Sequence, residues 1–379
     1  MCIRLKGTVN MKRVTATLGA LVMTAGGAAA GGIERANQSV GVIFETGNYA
    51  EFSVGRIMPN VSGVGAGTVA TLVQPTPGAA SGNMALDYTQ LGGAIKFKLG
   101  SNLDAAIIFD QPFGADASYP VATGYFARGT TAELTTYDVT GVLKYRLPSN
   151  ISVYGGVRFE SMDAQASIAG GYTVSGARDG GVGYLVGAAY EKPEIALRVA
   201  LTYNSEIKHS LATTEVSIPL SGTSNTPITT PQSVNLEFQT GVAANTLVFG
   251  SVRWVDWTAF NISPAVYTAA TGKPLVSYSS DTVSYSLGVG RKLSDTWSVA
   301  LSFGYEAPVG GFASNLGPTD GKRSVTLGAS YTTGNTKITG GVTYVDIGDA
   351  QTTLVAGLPA ANFRGNQALG VGVKVGFSF

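Results

Sequence analysis

From residue 49 to residue 379 the chain keeps returning to one pattern, in which apolar residues occupy every second position and small or polar residues lie between them. A two-residue period is a pleated strand with one apolar and one polar face. Fourteen stretches fit it, near residues 49–63, 85–99, 102–111, 131–147, 151–165, 181–192, 194–209, 232–244, 246–259, 277–292, 296–307, 322–333, 336–347 and 366–379. The last is the clearest: Leu369, Val371, Val373, Val375, Phe377 and Phe379 share one face, and Ala368, Gly370, Gly372, Lys374, Gly376 and Ser378 the other. Trp297, Val299, Leu301, Phe303 and Tyr305 alternate likewise against Ser298, Ala300, Ser302, Gly304 and Glu306. Ile195, Leu197, Val199, Leu201 and Tyr203 do so against Glu194, Ala196, Arg198, Ala200 and Thr202.

The connections sort by length. Short ones centre on Gly100 and Ser101, on Pro148 to Asn150, on Pro193, on Asn245, on Leu293 to Asp295, and on Gly334 and Asn335; long ones, such as residues 217–231 and 262–276, are rich in Thr, Ser, Pro and Gly. Strict alternation of tight turns and long loops is the arrangement of a membrane barrel with turns at its periplasmic rim and loops outside. Greek-key connections in a sandwich would not separate the two lengths so cleanly. The predicted fold is all-β: a transmembrane antiparallel up-and-down β-barrel of 14 strands, with the terminal strand pairing with residues 49–56. Parity alone cannot say which face of each strand meets the core, because water and lipid demand opposite answers. Aromatic residues near strand ends, among them Tyr145, Tyr190, Tyr203, Trp257, Trp297, Tyr305 and Tyr331, fit interfacial girdles and favour lipid.

The amino end points to the same compartment. Met11, Lys12 and Arg13 make a cationic start, residues 14–25 a mostly apolar run, and Ala28 to Ala30 an A-x-A cleavage pattern before Gly31. The run is well short of the ~20 apolar residues a spanning helix needs. Residues 1–30 are predicted as a signal peptide whose true start is Met11. Residues 31–48 have mixed polarity and too little alternation for a wall strand. They are predicted as a short hatch inside the barrel, the alternative being a loose periplasmic tail. Residues 49–379 form the barrel.

Composition sharpens this picture. Charged residues make up 13% of the chain and 51 residues are glycine, against ~25% charge and about 7% glycine in soluble domains. The single cysteine, Cys2, lies in the predicted leader. An exported chain without disulfides needs another constraint, and a closed hydrogen-bonded barrel supplies one. A net charge of +1 leaves no electrostatic footprint for nucleic acid.

Enzyme chemistry finds little to work with. His209 is the only histidine and is predicted as a solvated residue at the outer rim, so neither a metal cluster nor a Ser/His/Asp arrangement has support, and no cofactor is expected. Glycine-rich stretches such as residues 63–67 lack the strand-to-helix context of a phosphate cradle. Function is expected in the lumen instead. By parity Lys96, Lys98, Arg158, Glu160, Arg198 and Glu237 point inward, either to tune what passes or to form structural ion pairs. The third strand carries an interruption at Gln111, Pro112, Phe113 and Gly114, where proline removes a ladder donor and glycine permits a bulge. Those residues are either an opening in the wall or the start of an outer loop.

Several segments resemble the FadL family of outer-membrane transporters for long-chain fatty acids and other hydrophobic compounds. Arg198 to Lys208 is similar to the family's strand ending in Tyr-x-Ser-Glu-x-Lys. Ser286 to Gly290, with Asp295, Thr296, Trp297 and Pro308, resembles its late strands, and Arg35, Ala36, Gly41, Ile43, Gly47 and Asn48 look like a remnant of its amino-terminal hatch. The aromatic terminus at Phe379 resembles the signal read by barrel assembly machinery. The resemblance implies a fourteen-stranded barrel in the outer membrane of a Gram-negative bacterium, contacting its lipid and lipopolysaccharide. It also implies a hydrophobic ligand that binds near the outer face, moves inward past the hatch and leaves sideways through a kink in strand three, where Gln111 to Gly114 fall. Two departures stand out: the Asn-Pro-Ala box after the hatch is missing, and Asp163 and Ser280 lie near positions where family members place basic residues for a ligand carboxylate. Arg158, Arg198 and Phe44 are the candidate ligand contacts. The expected function is passive uptake of hydrophobic, fatty-acid-like compounds. A general diffusion porin for small polar solutes is the main alternative, and an adhesin using the long loops a third.

Overall fold

Fourteen antiparallel strands close on themselves, because the first strand pairs with both the second and the last. The structure, a computed structural model, describes residues 33–66, 77–217, 219–355 and 357–379. The predicted leader, residues 1–30, lies outside the described residues, as do Gly31 and Gly32 of the predicted hatch. In chain order the wall consists of β1 (Tyr49–Asn60), β2 (Tyr88–Lys98), β3 (Leu103–Asp110, then Gly114–Ser118), β4 (Thr131–Arg146), β5 (Ile151–Ile168), β6 (Tyr172–Lys192) and β7 (Leu197–Asn204, then Ile207–Val216). It continues with β8 (Ser221–Thr230, then Ser233–Ala243), β9 (Thr246–Val255), β10 (Thr282–Lys292), β11 (Trp297–Glu306), β12 (Lys322–Thr333), β13 (Thr336–Ile347) and β14 (Asn366–Ser378). The predicted barrel and its strand number are borne out. Closure runs from Tyr49↔Ser378 to Asn60↔Gln367, longer than the expected pairing over residues 49–56.

The facing that parity left open is decided by exposure. Phe52, Ile107, Leu143, Val157, Val182, Leu201, Leu287, Phe303, Leu327 and Val342 are exposed on the outside, while Lys96, Asp104, Asp138, Lys144, Arg158 and Glu160 are buried inside. A band of exposed large apolar residues around a polar interior is the inverse of a soluble sandwich and needs lipid as its solvent. No described helix is long and apolar enough to cross a membrane.

Two of the expected long loops are strand. Residues 166–180 and the described residues of 217–231 instead extend β5 into β6 and β7 into β8 as hairpins, the first turning at Gly170 and Gly171. Their Thr and Ser residues alternate, and β-branched threonine fits a pleated surface. At the opposite rim Glu194 and Ile195, expected in strand seven, belong to a 3-10 turn (Pro193–Ile195), since proline supplies no ladder donor. The remaining loops build a cap. Gly63–Gly65, Phe312–Ala313, Ala350–Val355 and Leu358–Phe363 form a small sheet over an aromatic cluster of Tyr119, Tyr125, Phe126 and Phe363. A short helix, α1 (Ala265–Thr271), has the backbone N–H groups of Val266 and Tyr267 donating to the Glu215 carboxylate at 2.9 Å each.

Candidate ligand path

Residues 33–48 run through the barrel interior, and inward side chains fix them there. Arg253 of β9 donates from Nε to Glu34 Oε1 at 2.7 Å and from Nη2 to Gln38 Oε1 at 3.0 Å. Asn235 of β8 donates to the Asn37 carbonyl at 2.8 Å, and Ser39 donates to Glu237 at 2.7 Å. Lower down, a 3-10 turn (Gly41–Phe44) buries Val42 and Ile43, and Lys96 Nζ closes its end by donating to the carbonyls of Glu45 and Gly47 at 2.7 and 2.9 Å. Lys96 also pairs with Asp104 at 2.9 Å. Burial pushes the Glu45 carboxyl above its ordinary range, against the pull of Lys337. Lys98 shares the inward face of β2 but lies exposed at the rim.

The interruption in β3 meets the same segment. Pairing between β2 and β3 ends at Gly93↔Phe109 and returns as a single bridge at Ala85↔Ala117. Within this gap Gln111 lends its side-chain oxygen to the Leu91 N–H at 2.8 Å, replacing a ladder bond. Pro112 O accepts from Arg35 N–H at 2.7 Å, and Gly114 N–H donates to Ile33 O at 2.8 Å. Phe113 turns inward, fully buried, with its ring edge-on to Trp257 at 5.8 Å. A Cβ on Gly114 would come within 2.5 Å of the Arg35 guanidinium carbon, so glycine is what lets the segment approach.

Of the candidate ligand contacts, two come together and one stands apart. The Phe44 ring lies between Lys144 Nζ, 4.6 Å from its centroid, and the Arg198 guanidinium, 4.8 Å away. Arg158 is buried elsewhere: Nε donates to Asp138 at 3.0 Å and Nη2 stands 3.8 Å from Glu160. Beyond Glu160 comes His209, which is not the solvated rim residue expected from its position. Its side chain is fully buried, with Nε2 3.1 Å from Glu160 Oε1. The reason is a change of phase at Ser205 and Glu206, above which odd rather than even residues of β7 face inward. Asp138 is not among the residues expected in the lumen, although the outward alternation of Val139, Leu143 and Tyr145 on β4 gives it an inward address.

Two cavities adjoin these residues. The inner one, about 230 Å³, is bordered by Ser39, Glu45, Arg198 and Glu237 on one side and by Gly55, Gly92, Gly341, Gly370 and Gly372 on the other, and it reaches Ile108 and Asp110 beside the β3 gap. The outer one, about 70 Å³, is mainly apolar: Ile33, Leu134, Leu211, Ile228, Phe260 and Tyr278 contribute, and Glu133 is the charged residue on its border.

Solved structures with this architecture come from outer-membrane transporters. A FadL homologue of Pseudomonas aeruginosa superposes with a TM-score of 0.72 at 13% identity, covering 93% of this chain and 97% of that one. The Pseudomonas putida toluene transporter TodX gives 0.63 at 11% identity over 93% and 98%, and the Ralstonia pickettii toluene transporter TbuX 0.60 at 13% over 94% and 97%. At such identities these likenesses show the fold. No curated protein matches the chain in sequence. Residues 94–379, however, match the family described as "Outer membrane protein transport protein (OMPP1/FadL/TodX)", and the chain belongs to that family of outer-membrane β-barrel transporters for hydrophobic compounds.

Proposed function

We propose that this barrel carries hydrophobic compounds, fatty-acid-like amphiphiles included, passively across the outer membrane and releases them sideways at the β3 gap. An apolar molecule crosses the charged lipopolysaccharide layer poorly, and a lined path through the wall keeps its body out of water. The outer apolar cavity receives the body first. Residues 33–48 act as the hatch between it and the inner cavity, where Arg198 and Phe44 offer a cation and a ring to an acidic head. Arg158, committed to Asp138 and Glu160, acts by holding the wall around that path. Release follows when Arg35 and its neighbours leave the space beside Gln111, Pro112, Phe113 and Gly114. The observation that carries this reading is that the β3 ladder is broken where the inner cavity reaches the wall, and that a loop-like segment rather than a strand covers the break.

Replacing Pro112 and Gly114 together by valine tests it. A β-branched pair restores a continuous strand, and uptake of radiolabelled laurate into cells should be lost while heat-modifiable barrel still assembles. Normal uptake by the folded double variant would rule out lateral release. Phe379 is proposed as the assembly signal. The porin alternative requires an open bore; a large, steady current in planar bilayers would favour it.

A further inference from the structure

The wall has a second interruption, between β6 and β7. Pairing runs from Lys192↔Leu197 to Leu185↔Asn204, stops, and resumes from Gly176↔Thr213 to Thr173↔Val216. Residues 177–184 and 205–212 face each other across the gap, equal in number, so the register is intact and the failure is one of phase. On β7, Thr202 and Asn204 are buried below Ser205, and Ile207, His209 and Leu211 above it. On β6 the change comes higher, at a bulge opposite Asp163: Gly181, Gly183 and Leu185 are buried below it, Tyr172 and Val174 above. Between the β6 bulge and the phase break at Ser205 and Glu206 opposed residues point to opposite faces, and a one-residue mismatch of this kind cannot form a ladder.

Ser205 N–H still donates to the Tyr184 carbonyl at 2.9 Å, and above that bond side chains take over from the backbone. Ser205 Oγ accepts from the Tyr184 N–H at 2.9 Å and Asp179 Oδ2 from the Ser210 N–H at 2.8 Å. The β3 gap is covered by residues 33–36, whereas this one is filled by Ile207 and Leu211. A Cβ on Gly183 would come 2.6 Å from Ile207 Cγ1, and one on Gly176 would come 2.8 Å from Leu211 Cδ2. Leu211 and Gly176 also border the outer apolar cavity, so gap and cavity share a wall. His209 stands in the gap, wholly buried, with Nδ1 making no hydrogen bond and lying 3.7 Å from Asp179 Oδ2. On the outward side Tyr184 and Tyr203 pair at 6.0 Å at the lower edge of the interruption, and Arg178 and Lys208 are exposed within it. Aromatic residues giving way to charge mark the membrane boundary.

We propose that this interruption is a lateral passage by which neutral apolar molecules carrying one hydrogen-bonding group reach the outer cavity from the membrane boundary. The inference rests on the transport reading above. Displacing Ile207 and Leu211 opens the passage, and His209 Nδ1 meets the single polar group. Glu160, Asp179, Asp138, Asp163 and Glu206 outnumber Arg158, His209, Arg178 and Lys208 around it, so an anionic head is repelled.

Beyond Cys2 the chain has no cysteine, which permits a clean test with Val182→Cys and Lys208→Cys, two outward positions across the gap. In outer-membrane vesicles carrying the full chain, oxidising this pair should abolish protein-dependent influx of 1-naphthol, reduction should restore it, and 1-naphthoate influx should not respond. Equal naphthol influx in the oxidised and reduced states overturns the passage. If the wild type carries neither probe, the transport reading fails, and hydrogen exchange decides the gap on its own. Amides of residues 179–183 and 207–211 should then exchange about tenfold faster than those of residues 186–190; equal protection rejects an opening here.

Discussion

The Arg35 guanidinium carbon lies 4.1 Å from the ring centroid of Tyr88. The same guanidinium pairs with Asp116 on the outer part of β3, so one side chain from residues 33–48 touches both banks of the β3 gap. A cation stacked on an aromatic ring and paired with a carboxylate is worth more than either contact alone when partly desolvated. Arg35→Ala is expected to unlatch the segment, raising single-channel conductance in planar bilayers and speeding uptake. Unchanged conductance in Arg35→Ala would show that residues 33–36 do not close the gap.

Arg158 and Asp138 are both almost fully buried and joined by two hydrogen bonds from the guanidinium. Removing one partner of such a pair strands a charge. Asp138→Ala should therefore destabilise the refolded barrel by on the order of 3–5 kcal/mol, and adding Arg158→Met should recover most of the loss. Urea unfolding in lipid vesicles, followed by tryptophan fluorescence, measures both. A double variant no more stable than Asp138→Ala would place the cost somewhere other than the unpaired guanidinium.

The wall could be read from the sequence because a barrel obeys a local rule: outward residues must be apolar, and Trp297 to Tyr305 or Leu369 to Phe379 display that at every second position. The β3 break was legible for a similar reason, since Pro112 cannot donate to a ladder in any context. What escaped reading depends on phase. The inward turn of His209 follows from a change of phase at Ser205 and Glu206 that no residue type announces. The hairpins in place of the expected loops at residues 166–180 and 217–231 carry no distinguishing mark, because Thr, Ser and Gly suit loops and strands alike. The Phe44, Lys144 and Arg198 cluster joins an irregular segment to two strands distant in sequence, and period counting has no access to such meetings.

Glu45 gives residues 33–48 a pH dependence. Burial raises its folded pKa above the ordinary 4.5. A raised carboxyl pKa favours the docked segment fully below the ordinary value, and that contribution fades as pH rises through the raised one. Hydrogen exchange of amides 40–47 should accordingly be slower at acidic than at alkaline pH after correction for intrinsic rates. Glu45→Gln, which cannot ionise, should flatten the profile. The same slope in the variant would assign the pH dependence to another group.

Arg198 and Phe44 can be separated from each other by the chemistry of the ligand. The guanidinium borders the inner cavity 4.8 Å from the ring, so a ligand carboxylate would meet the cation while its chain meets the aromatic face. A hydrogen bond to a charged group contributes about 1.5–3 kcal/mol, which sets the expected loss for Arg198→Ala at about 10- to 100-fold in laurate affinity. Toluene, which has no carboxylate, should bind the variant as well as it binds the wild type. Phe44→Leu should show the converse pattern, keeping most of the laurate affinity while weakening toluene, since leucine fills space but offers no ring face. Isothermal titration of both ligands against both variants gives the four numbers needed. Equal losses for laurate and toluene in Arg198→Ala would mean that Arg198 shapes the cavity without reading charge.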